Sequence, residues 1–160
     1  MHEPADYYRR PERGTADYHQ GIVEHTQRLA TAFADGPAAA RLLADRGGAA
    51  LRSWGAADLN QVVKLAHGAI RLSDYVVTRL ISHAAHGVDL AISLHREPWT
   101  TPAALTVIRP VLLSLLGHEP PAQLSWDDAT LFTVATGRRR LGESERAALD
   151  GKAPLFPLIS

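Results

Sequence analysis

The stretch Leu59-NQVVKLAHGAIRLSDYVVTRLISHAAHGVDLAISL-His95 decides the fold of this chain. No proline interrupts it, and its apolar residues recur as Leu59, Val62/Val63, Ala66, Ala69/Ile70, Val76/Val77, Leu80/Ile81, Ala84, Val88 and Ala91/Ile92, close to the 3.6-residue period of a helix. Asp58, three residues before Gln61, resembles a capping box with its polar types exchanged, and Arg96-Glu97-Pro98 closes the segment. At ~1.5 Å per residue one unbroken helix here would span ~55 Å, longer than a compact domain of this size. A break is therefore expected near Gly68 or Ser73-Asp74.

The flanking sequence carries further helix signals. Thr15 is a cap with Asp17 in the first turn, followed by Tyr18, Ile22, His25, Leu29 and Phe33 on one face. Asp35-Gly36-Pro37 ends that helix. Ala38 to Asp45 reads as a short helix closed by Gly47-Gly48, and Ala49 to Trp54 as another turn or two closed by Gly55. Thr101-Pro102 opens a strongly apolar helix through Leu105, Ile108, Leu112 and Leu115/Leu116, which Pro110 should kink or divide and Gly117 ends. Ser125-Trp126-Asp127-Asp128 caps a helix through Thr136 with Gly137 as terminator, and Glu143 to Asp150 forms the last helix, before a tail that Pro154 and Pro157 keep extended. Strict alternation is absent, so no strands are needed. The fold class is all-α: an irregular bundle of five to seven helices around one long, broken central helix. Residues 1–14 read as an N-terminal arm that Tyr7 and Tyr8 could dock, and residues 15–160 as a single helical domain.

Composition narrows the function classes. With 160 residues, 46% of them hydrophobic and 21% charged, the chain can build one core without staples. Seventeen Lys and Arg balance seventeen Asp and Glu, so no global field draws it to nucleic acid or anionic lipid. The absence of Cys removes disulfides, thiolate chemistry and Fe–S clusters. Neither a secretory signal nor a membrane-length apolar run is present, which makes the cytoplasm the expected location. Frequent Ala, Arg and Gly match a high-GC bacterial coding sequence.

The central segment carries a second stripe: Leu65, Gly68, Leu72, Tyr75, Arg79, His83, His86 and Leu90, again at spacings of three and four. A face mixing apolar residues with Tyr, Arg and two His suits a polar pocket inside a bundle or a seam with a second subunit. Tyr75, Arg79, His83 and His86 are accordingly the candidate ligand-binding residues, with a small anionic ligand as the matching partner. A bound carboxylate or phosphate beside the histidines would couple binding to pH near neutrality. The bland alternative is that these side chains only satisfy one another beneath a loop.

Other constellations are weaker. His83 and His86 at i, i+3 lack the i, i+4 spacing of helical zinc pairs, and no Glu-x-x-His occurs, so no metal and no cofactor is expected. His67 followed by Arg71 superficially resembles a histidine-phosphotransfer helix, but Gly68 stands where that pattern does not place it. His25, flanked by Ile22 and Leu29, reads as a hydrogen-bonded core residue. Arg138-Arg139-Arg140 follows a helix end, where cations complement the dipole, and the helix after it is acidic, which argues against nucleic acid. No nucleophile elbow, P-loop or dinucleotide fingerprint is present. Two functions remain: a helical binding or regulatory protein, self-associating as a homo-oligomer, and a small cofactor-independent enzyme of isomerase, cyclase or lyase type using His/Tyr acid–base chemistry.

Overall fold

The computed structural model describes residues 2–9, 15–33, 35–65 and 68–159, and 69% of them are helical. Seven α-helices are present among them: α1 Pro4–Tyr8, α2 Ala16–Thr31, α3 Gly36–Ala56, α4 Leu72–Ser93, α5 Pro102–Leu116, α6 Asp128–Ala135 and α7 Glu143–Leu149. The all-α class holds, with α4 as the central helix. None of these helices is long and apolar enough to cross a membrane.

The first half of the Leu59–His95 segment departs from expectation. Val62–Leu65 (β1) and Gly68–Arg71 (β2) pair antiparallel, with Leu65 opposite Gly68 and Val62 opposite Arg71. The expectation that no strands are needed is thus corrected. Ile70 explains why the hairpin forms: it is fully buried, and its strand is flanked on the other side by His2, whose amide donates to the Ala69 carbonyl at 3.0 Å. Gly68, at φ 134°, makes that approach feasible, because a Cβ there would stand 2.3 Å from Nε2 of His2. Asp58 caps a turn and not a helix, its carboxylate accepting from the Asn60 amide at 2.9 Å.

The hairpin also fixes where α4 begins. The amides of Leu72 and Ser73, orphans of a new helix, donate at 2.9 Å to the carbonyls of Gln61 and Leu59, so backbone replaces the missing side-chain cap. From there α4 buries Leu72, Thr78, Ile81, Ala84, Ala85, Val88 and Ala91. Its core partners are Leu105, Ile108, Val111 and Leu112 of α5 and Leu131, Phe132 and Ala135 of α6. The helix α5 runs undivided through Pro110, capped by Thr101 and ended by Gly117 at φ 89°. Asp127, not Ser125, caps α6, accepting from the Thr130 amide at 2.7 Å.

Residues Ala5 and Tyr8 of α1 are buried in the same core, and the Tyr8 hydroxyl donates to the Thr78 carbonyl at 2.9 Å. At the other end the tail is not extended throughout: Asp150–Leu155 forms 3-10 turns, and the Ile159 amide donates to the Ala135 carbonyl at 3.0 Å. Two of the expected short helices are one. Gly47 and Gly48 lie inside α3, neither with positive φ, so they cost helix propensity without terminating anything. Neither α2 nor α3 buries a residue.

Candidate functional site

Tyr75 and Arg79 stand one turn apart on the first half of α4, half-buried, with Arg79 turned toward the N-terminal helix. The guanidinium carbon of Arg79 lies 5.2 Å from the ring centroid of Tyr7 and 5.1 Å from that of Tyr75. Each ring offers its negative face to the cation, a contact worth roughly 0.5–1 kcal/mol where water has access. One Nη of Arg79 donates to the Tyr7 hydroxyl at 2.8 Å and Nε donates to the Thr78 hydroxyl at 3.3 Å. Tyr7 itself meets Tyr8 edge to face at a centroid distance of 5.2 Å, and Tyr8 is anchored on the Thr78 carbonyl. The core therefore orients Tyr8, Tyr8 braces Tyr7, and Tyr7 holds the guanidinium.

The other two expected site residues are arranged differently. Nδ1 of His83 is 2.7 Å from the carbonyl of Arg79, which makes Nδ1 the protonated nitrogen and leaves Nε2 directed away from that bond. His86 faces Asp89, with Nδ1 3.5 Å from the carboxylate, and its side chain is 78% exposed. Asp89 is already engaged by Arg138 at 3.0 and 2.7 Å, and these bonds hold its carboxyl below the usual carboxylate range against the opposing effect of burial. The structure thus brings together Tyr75 and Arg79, sets His83 one turn beyond, and places His86 in a separate ion-pair group. Among the described residues no three His, Asp or Glu side chains are grouped as a metal would require. His67 lies outside the described residues. His25 is exposed on α2 and not within the core.

Tyr7 is the site residue that sequence reasoning left outside the stripe. It is 72 residues from Arg79 along the chain, and only the adjacent tyrosines of the arm marked it.

Charge compensation separates Arg79 from its peers. Three described arginines are half-buried: Arg79, Arg109 and Arg138. Arg109 is hydrogen-bonded to Asp128 at 2.7 Å and also to Glu119, which raises its pKa, and Arg138 has Asp89. No carboxylate among the described residues pairs with Arg79; its partners are two hydroxyls and two aromatic faces. A guanidinium carries five N–H groups in a fixed fork, and the protein uses two of them here. This group is partly desolvated and, among the described residues, has no counter-charge.

Comparison with known protein families, with characterised proteins and with solved structures finds no match to this chain.

Proposed function

We propose that this chain is a helical binding or regulatory protein of the cytoplasm that seats a small anion, a carboxylate or a phosphate, on Arg79 between Tyr7 and Tyr75. The observation that carries the reading is the half-buried Arg79 cation without a carboxylate partner among the described residues, where Arg109 and Arg138 each have one. His83, one turn along the same face, would offer Nε2 to a ligand larger than the anion itself, as an acceptor in the neutral ring and as a donor once the ring is protonated. The alternative is a cofactor-independent acid–base enzyme in which His and Tyr do the proton chemistry and Arg79 holds the anionic group. His86 turned toward Asp89 favours binding over catalysis.

Self-association belongs to the same proposal, with a second copy of this chain as the occupant of the α2 and α3 faces. Ile22, Val23 and Leu29 on α2 and Leu42, Leu43 and Leu51 on α3 are exposed. The faces are complementary in charge: α2 is acidic, with Asp17 and Glu24 against Arg28, and α3 is basic, with Arg41, Arg46 and Arg52 against Asp45. Helices of this length are marginal in water on their own, and α3 contains four glycines, so packing against a partner supplies what propensity does not.

The anion site is tested by following the Arg79 Nε–H resonance while inorganic phosphate or acetate is added. Saturable shifts of that resonance are expected, with loss of at least about tenfold in affinity for Arg79→Ala and partial retention for Arg79→Lys. An Arg79 signal that ignores both anions up to tens of millimolar overturns the assignment.

A further inference from the structure

The C-terminal end of α6, the loop after it, α7 and the returning tail enclose a half-open cavity of about 420 Å³, which shares no residue with the Arg79 cluster. Its lining combines apolar residues, Val134, which is buried, with Phe156 and Pro157 from the tail, and basic ones, Arg139, Arg140 and Arg146. Arg139 is committed, with two bonds of 3.0 and 2.6 Å to Glu145. Arg140 and Arg146 have no carboxylate within ion-pair distance among the described residues. Arg138-Arg139-Arg140 follows the end of α6, where cations complement its dipole, but the three side chains diverge. Arg138 turns to Asp89, Arg139 to Glu145, and only Arg140 stays with the cavity uncompensated.

Backbone fixes the tail beside the cavity. Gly137, at φ 74°, ends α6 and packs so closely on the tail that a Cβ would sit 3.3 Å from Cβ of Pro157. The Ile159 amide bound to the Ala135 carbonyl pins the tail two residues further on. A volume of this size falls in the range of small-molecule sites, about 300–1,000 Å³. We infer that this cavity binds a small amphipathic anion, a carboxylate or phosphate monoester with an aromatic or aliphatic body, its head on Arg140 and Arg146 and its body on Phe156 and Pro157. Neither part suffices: a free inorganic anion leaves the apolar lining wet, and a neutral apolar molecule leaves the two cations unpaired.

Phenyl phosphate, benzoate, inorganic phosphate and benzyl alcohol, each titrated into the full chain by calorimetry and by NMR of the Phe156 ring, separate these contributions. The expected result is saturable binding of phenyl phosphate or benzoate with Phe156 ring shifts, and at least about tenfold weaker binding of inorganic phosphate and of benzyl alcohol. Which of the two aromatic anions binds more tightly identifies the head group. Arg140→Ala with Arg146→Ala should weaken phenyl phosphate by at least about tenfold at unchanged far-UV ellipticity, and Phe156→Leu should weaken it less. Arg79→Ala should leave it unaltered, so this inference and the Arg79 assignment fail separately. Equal affinity for inorganic and phenyl phosphate, retention of affinity in the double variant, or no saturable binding of either aromatic anion in the millimolar range overturns it.

Discussion

Replacing Glu145 by Gln should loosen the whole C-terminal third of the molecule, and the structure sets the size of the effect. The Glu145 carboxylate accepts two bonds from Arg139, one from the Gly142 amide at 2.8 Å and one from Nε1 of Trp126 at 2.8 Å. It thereby ties α7 to the end of α6 and to the loop before it. Arg139 is the largest influence on its acidity, and with the other donors it brings the pKa down from 4.5 to about 2. Because the folded pKa lies below the unfolded one, the ionised carboxylate stabilises the fold above pH ~5, and this contribution fades as pH falls toward 2. A shift of about 2.5 units corresponds to a ceiling of about 3 kcal/mol at neutral pH, of which about 2 would be gone by pH 3. Gln keeps one carbonyl oxygen but turns an amide toward donors, so Glu145→Gln should cost about 2 kcal/mol at pH 7. Urea unfolding of both proteins at pH 7, 5, 4 and 3 measures this directly. The gap in unfolding free energy should narrow steadily below pH 5. Equal stability at pH 7, or a gap that stays constant down to pH 3, would refute the reasoning that the charge on Glu145 holds this region together.

Phe132→Ala removes one of the largest fully buried side chains, at the contact of α6 with α4 and α5, and should cost about 3–5 kcal/mol in urea unfolding; a loss below 1 kcal/mol would move the centre of the core elsewhere. Sedimentation equilibrium should show a dimer or larger species that Ile22→Glu with Leu43→Glu disperses to monomer, whereas a wild-type monomer at high micromolar concentration would remove the second copy as the partner of α2 and α3.

Helix ends were legible where a side chain or a left-handed glycine set them locally. Thr15, Thr101 and Gly117 stand where expected because each acts within three or four residues. The hairpin was not legible: Val62/Val63 and Ala69/Ile70 fit a helical period as well as a pleat, and what selects strands is pairing with each other and with His2, almost 70 residues away. Gly47-Gly48 misled for the opposite reason, since a glycine stops a helix only when it takes up positive φ. Of the site, the i, i+4 spacing of Tyr75, Arg79 and His83 was readable, but the partner of Arg79 was not, because Tyr7 reaches it through tertiary packing. The i+3 step from His83 to His86 rotates the second ring toward Asp89, which spacing alone left open.

The way the chain leaves and re-enters the core has a consequence for modularity. The Arg9 side chain donates to Ser114 of α5, and the His2 amide is bonded at β2. On the far side of α2 and α3, the Leu59 carbonyl is bonded to the first turn of α4. Both helices therefore lie on an excursion whose two ends are fastened to one body, the topology of an insert. Closing a loop costs about 0.6 kcal/mol for each doubling of its length, so trimming this excursion several-fold would alter the entropy of the core by only about 1–2 kcal/mol. Shortening the insert should therefore leave the Tyr7–Arg79 contact in place while removing the surface proposed for self-association, so the two proposed properties are separable within one chain.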